Sequence, residues 1–157
     1  MKNDSLNNLL HPSDLIHRLR LDRRRCFVIT GRPGEGKSRL ATQMAKHFKG
    51  QYLNILEIFA QQPTLTNNID TFSPRNAKDF LQDYASGDLV LLDEIEFLWH
   101  RWDDAEKREF LNILKLWSKP AFFGVFLPPH SVIDSFDMLD QDGLPRIYSL
   151  HSLQTID

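Results

Sequence analysis

Gly31-Arg32-Pro33-Gly34-Glu35-Gly36-Lys37-Ser38 stands between the apolar run at residues 26–30 and a helical pattern. The eight residues fit G-x-x-x-x-G-K-[ST] in the strand, loop and helix setting that a phosphate-binding loop requires. Glycines let such a backbone curl around an anion so that successive N–H groups face its oxygens, and the first helical turn adds its positive dipole end. Lys37 is placed to reach the β and γ phosphates, and the Ser38 hydroxyl to ligate Mg²⁺. Nucleotide contacts are therefore expected from Gly31, Arg32, Pro33, Gly34, Glu35, Gly36, Lys37, Ser38 and Arg39. At ordinary residue usage the fixed positions arise by chance in roughly one chain in two hundred of this length.

Outward from the loop, strands and helices alternate. Residues 13–24 read as an amphipathic helix with Ser13 as N-cap, and Leu40, Ala41, Met44, Ala45 and Phe48 recur at helical spacing up to a stop at Gly50. Residues 51–56 read as a second strand, and the polar stretch 61–73, with Pro63, Asn67 and Asn68, as a mobile loop. Ser73-Pro74 caps a helix that runs to a stop at Ser86-Gly87. The apolar run 89–92 reads as a strand buried on both faces. Asp103 and Glu106 have capping-box spacing before a helix lined by Phe110, Leu111, Leu114 and Trp117. A fourth strand at 121–127, a short helix from Ser131 to about residue 139, a turn at Asp142-Gly143 and a fifth strand at 146–150 complete the pattern.

This alternation predicts an α/β fold: a three-layer P-loop NTPase core with a five-stranded parallel sheet in the order 5-1-4-3-2 and no separate lid domain. Residues 1–25 form an N-terminal helical extension and 26–157 the P-loop domain. With 157 residues, 41% hydrophobic and 25% charged, the chain has the composition of one globular domain. It contains no apolar run long enough to cross a bilayer and its polar amino terminus lacks a signal-peptide core, so a cytoplasmic protein without membrane partners is expected. Cys26 is the single cysteine, which excludes an intramolecular disulfide and argues against a cysteine-based zinc site. The formal net charge of -2 gives no overall pull toward nucleic acid. Arg18, Arg20, Arg23, Arg24 and Arg25 nevertheless crowd one segment, which could grip a phosphate backbone or simply solvate a helix face.

The second half of the site is Asp93-Glu94, which closes the run Leu89-Val90-Leu91-Leu92. A carboxylate at such a strand end can orient Mg²⁺ and its waters, so Asp93 joins Ser38 as a metal residue. In additional-strand P-loop ATPases a glutamate in the position of Glu94 polarises the attacking water. Glu96 reads as a surface residue. Neither N-K-x-D nor T-K-x-D occurs, which favours ATP over GTP. Lys37 and Glu94 are the catalytic candidates, with Arg146 as an arginine finger reaching a neighbouring subunit, and Arg101 and Arg108 as weaker ones. His130 or Ser131 could stand in for a sensor. Trp99 and Trp102, flanking His100 and Arg101, pack at a domain edge or stack on a partner.

GRPGEGKS, the strand Tyr52-Leu53-Asn54 and LVLLDEIEFL, which runs into Ile95-Glu96, resemble the small P-loop family BrxF of type 3 BREX bacteriophage-defence systems, over roughly residues 25–150. The resemblance implies an ATP-binding and ATP-hydrolysing subunit that forms homo-oligomers and works with larger defence-system proteins on DNA, contacted directly or through those partners. Two other classes stay open: a small-molecule or nucleotide kinase, whose lid would have to come from residues 61–75, and a non-hydrolysing module in which ATP controls assembly.

Overall fold

The computed structural model describes residues 9–84, 88–118 and 120–156. Helix α1 (Pro12–Arg20) precedes β1 (Phe27–Thr30), which runs through the loop into α2 (Lys37–His47). The α1 cap is His11, whose Nδ1 accepts from the Ser13 amide at 3.0 Å, so capping falls two residues before the expected Ser13. The helix also stops short of residue 24. The buried Asp22 carboxylate there accepts the amides of Arg24 at 3.0 Å and Gln141 at 2.8 Å, bending the chain toward β1.

Strand β2 (Gln51–Asn54) is shorter than predicted, because the Asn54 side chain accepts the Glu57 amide at 3.0 Å and starts α3 (Ile55–Gln61). The stretch expected to be a mobile loop is helical: α4 (Pro63–Asn67) leads into a 3₁₀ turn (Ile69–Thr71). Pro63 sits at the first helical position, where its missing N–H costs nothing, and Leu65, Ile69 and Phe72 pack half-buried on the core. Polar composition concealed this apolar spacing. Helix α5 (Pro74–Gln82) carries the expected Ser73 cap, completed as a capping box by Asn76. Its expected stop at Ser86-Gly87 lies outside the described residues.

Strand β3 (Leu89–Asp93) and the short helix α6 (Glu96–Trp99) are followed by α7 (Asp104–Leu116), which has the Asp103/Glu106 capping box foreseen from the sequence. After β4 (Phe122–Leu127), α8 (Ser131–Asp134) is one turn long rather than extending to residue 139, and His130 rather than Ser131 caps it. Leu139 and Pro145 pair in an antiparallel bridge that closes the turn before β5 (Ile147–Ser149) and a second 3₁₀ turn (Leu150–Ser152).

The strands form one all-parallel sheet in the order β2-β3-β4-β1-β5, the predicted order read from its other edge. Every residue of β3 and β4 is buried, as their unbroken apolar runs demand. Alternate residues face two separate clusters. Phe27, Ile29, Leu91 and Phe126 meet α1 and α2, while Val28, Leu92, Phe123 and Val125 meet α3, α5, α6, α7 and α8. Gly124 sits opposite Phe27 in the β1–β4 register, and a Cβ there would lie 2.3 Å from the Phe27 ring. Two helical layers thus cover a sheet whose β1 and β3 end side by side around β4, and this aims the phosphate loop and Asp93 at a single crevice.

Candidate functional site

A cleft of about 480 Å³ opens at these strand ends, lined by Arg32, Pro33, Gly34, Gly36, Lys37, Ser38, Arg39, Asp93, Glu94, Glu96, His100 and Pro128. The loop backbone enters left-handed space at Gly34 (φ 81°) and Gly36 (φ 108°), which lets it curl inward. Helix α2 begins at Lys37 with no side-chain cap on its first amides, leaving those donors toward the cleft. Lys37 is buried, and its ammonium donates to the Gly31 carbonyl at 2.6 Å and lies 3.4 Å from Glu96 Oε1. Gly31 lies behind the lysine, so its contribution to the cleft is to hold that side chain.

Ser38 Oγ donates to Glu94 Oε1 at 3.3 Å, and Tyr52 donates its phenolic hydrogen to Asp93 Oδ2 at 2.7 Å. Asp93 is 1% exposed at the end of β3. Burial, reinforced by the hydrogen bond to Asp93, raises the Tyr52 phenol well above its usual ionisation range, so it remains a donor at any ordinary pH. Glu94 itself has φ 57°, left-handed for a residue with a side chain, at a cost of about 1–3 kcal/mol. The conformation turns its carboxylate back toward Ser38 at the point where β3 ends.

The Ser38 hydroxyl and the Asp93 carboxylate line one cleft, and such oxygens are hard donors suited to Mg²⁺. No group of three or more His, Cys, Asp or Glu side chains that could hold a metal occurs among the described residues. The donor set at Ser38 and Asp93 fits a Mg²⁺ that is carried largely by phosphate oxygens and water, the usual arrangement where the substrate is a nucleotide.

Glu35 departs from the expected nucleotide contacts. Its carboxylate accepts the Arg32 amide at 2.6 Å and meets His151 Nε2 at 2.7 Å, tying the loop to the turn after β5. The Arg32 amide, with a smaller contribution from His151, holds that carboxyl below the usual range. Glu35 and His151 line a second pocket of about 630 Å³, which shares Gly34, Gly36 and Arg39 with the cleft and is otherwise walled by residues that include Leu40, Leu150, Leu153 and Ile156.

Arg146 requires a correction. It is 1% exposed, and its guanidinium donates to the carbonyls of Leu139 at 2.9 Å, Cys26 at 3.0 Å and Lys115 at 3.0 Å. An arginine finger must project into solvent to reach a neighbour, whereas this group fastens the base of the sheet. Arg101 and Arg108 are exposed, Arg101 pairing with Asp70. His130 is the cap of α8, its Nδ1 accepting the Val132 amide at 3.1 Å. Trp99 and Trp102 are buried, with Trp102 Nε1 donating to the Phe72 carbonyl at 2.8 Å, so they pack rather than stack on a partner. Within residues 61–75, from which a kinase lid would have to come, 63–67 and 69–71 lie in helical turns pinned to the core by Leu65 and Ile69. Sequence reasoning missed Tyr52 and His151, and it left Glu96 on the surface. Glu96 stands two residues beyond Glu94, a spacing that signals a shared location only once α6 is known to turn there.

A parallel sheet in this order, with a glycine-bearing loop after β1, a buried lysine and a strand-end carboxylate, defines a P-loop NTPase, a nucleotide-binding and nucleotide-hydrolysing domain. The chain belongs to the RNA helicase family, whose model matches residues 27–116, more than half of its length. No curated protein matches it. Among the described residues no helix is long and apolar enough to cross a membrane.

Proposed function

We propose that this chain binds ATP with Mg²⁺ and hydrolyses it to ADP and phosphate. The observation that carries the proposal is the meeting of Lys37, Ser38, Asp93 and Glu94 around one cleft, although they come from two separate strand ends. Amides of Gly34, Gly36, Lys37 and Ser38 and the Lys37 ammonium hold the phosphates, and the charge that develops on the transferred phosphoryl group falls on these fixed donors. Bound Mg²⁺ supplies Lewis acidity at the phosphate oxygens. Ser38 and Asp93 hold that ion, Asp93 being kept in place by Tyr52. Glu94, on its strained backbone, orients the attacking water and accepts its proton. The pocket beyond Glu35 offers apolar walls for the nucleobase.

Two observations support a setting for this activity. The motif resemblance to BrxF supports a subunit of a BREX-type anti-phage system that acts with larger proteins on DNA. Membership of the RNA helicase family supports nucleic acid as the associated polymer. A homo-oligomer assembled with nucleotide belongs to the same reading and rests on the motif resemblance alone, because the buried Arg146 does not reach a neighbour and Arg32 and Arg39 of the same chain line the cleft. Phosphate release by the parent chain and by Glu94→Gln tests the hydrolytic reading, with mass in solution recorded with and without Mg²⁺ and ATP. The reading requires the variant to retain nucleotide while turnover falls by about 100-fold or more. Equal turnover in the two proteins contradicts it.

A further inference from the structure

Glu96 has no part in the scheme above, yet it touches the lysine at its centre. It opens α6, and its Oε1 stands 3.4 Å from Lys37 Nζ with side-chain exposures of 23% and 9%. Oε1 is buried and receives no hydrogen bond, while the nearest donation of the ammonium goes to the Gly31 carbonyl. The carboxylate is therefore held by charge alone, in a cleft where a second anion must approach the same ammonium. Glu94 is engaged elsewhere, by the Ser38 hydroxyl at 3.3 Å, so Glu96 is the carboxylate that meets the Lys37 ammonium.

We propose that Glu96 sets the preference between nucleoside triphosphate and diphosphate by occupying the side of the Lys37 ammonium that a γ-phosphate needs. The inference rests on the reading that this cleft binds nucleotide. A triphosphate has to displace the carboxylate from Lys37, and two anions cannot share that position without mutual repulsion. A diphosphate reaches the loop amides and leaves the pair intact. Glu96 thus weakens triphosphate binding selectively, and its displacement gives the protein a mark of γ-phosphate presence.

The test is titration calorimetry of the full chain with Mg²⁺ and either ADP or the β,γ-imido analogue of ATP, for the parent, Glu96→Gln and Glu96→Asp. In Glu96→Gln the analogue binds at least about tenfold tighter and ADP changes by less than about twofold, as expected from removal of one competing charge. Glu96→Asp, which keeps the charge but withdraws it, gives a smaller selective gain and remains informative should Gln disturb folding. A parallel change for both nucleotides, or none, in a parent that binds both overturns the inference alone. A parent that binds neither nucleotide removes the nucleotide reading itself, and this inference with it.

Discussion

Replacing Arg146 by Met separates two roles for this residue. Methionine keeps most of the side-chain volume, so the loss falls on three hydrogen bonds to the carbonyls of Leu139, Cys26 and Lys115. A buried acceptor stripped of its donor costs about 1–3 kcal/mol, and removing the buried guanidinium returns part of that through its own desolvation. The expected net loss is about 3–5 kcal/mol. For a chain of this size each kcal/mol moves the midpoint by about 2–4 °C, which gives a fall of about 6–20 °C. Arg146→Lys, which can satisfy one of the three carbonyls, should lose about half as much. Thermal denaturation followed by circular dichroism measures the fall, and phosphate release per folded molecule at a temperature below both midpoints measures the activity. Turnover should be unchanged within about twofold, because the guanidinium stands away from the cleft. A variant that melts within about 2 °C of the parent while losing hydrolysis refutes the reasoning and restores Arg146 as a group that reaches a neighbour.

Burial pushes the Cys26 thiol up from its ordinary 9.0 to about 11. It should stay inert to a disulfide reagent at pH 8 until the chain unfolds, and rapid labelling of the native protein would contradict its burial. Because the folded value lies above the unfolded one, its stabilising contribution is complete below pH 9.0 and disappears as pH rises toward about 11. The Tyr52 phenol, raised by burial and by the Asp93 carboxylate, should ionise only as the protein unfolds in an alkaline absorbance titration. Its contribution likewise declines above about pH 10, and prompt ionisation of all three tyrosines in the native state would contradict that. Gly124→Val drives side-chain atoms into the Phe27 ring and should cost about 1–3 kcal/mol in chemical denaturation, whereas an unchanged midpoint would contradict this packing.

The elements that were legible in the sequence share a physical cause. Strands β3 and β4 are covered on both faces, which leaves an unbroken apolar run, and the phosphate loop needs glycine and lysine at fixed offsets whatever surrounds it. Helices α2, α5 and α7 carry stripes long enough to define a period, and two of them carry side-chain caps. The region after β2 was not legible, because one residue, Asn54, ends the strand and starts α3, and four- to seven-residue helices are too short to show a period. Lys37, Ser38, Asp93 and Glu94 could be assigned to one site because each has a local signature. Glu96 and Arg146 could not be placed, since nothing local separates a buried charged side chain from an exposed one. The partners that bury them, Lys37 in one case and the Cys26 and Lys115 carbonyls in the other, are brought near only by the sheet order.

The nucleotide site proposed above would seat a triphosphate in the cleft between the glycine loop and Asp93, held by Lys37 and by a divalent cation. Calorimetric titration of the parent chain, Lys37→Ala and Asp93→Ala with the β,γ-imido analogue of ATP, with and without Mg²⁺, addresses it most directly. Saturable one-to-one binding by the parent that strengthens with Mg²⁺ is expected, with loss of binding in Lys37→Ala and loss of the Mg²⁺ dependence in Asp93→Ala. Absence of binding by the folded parent, or equal binding by all three proteins, would contradict it.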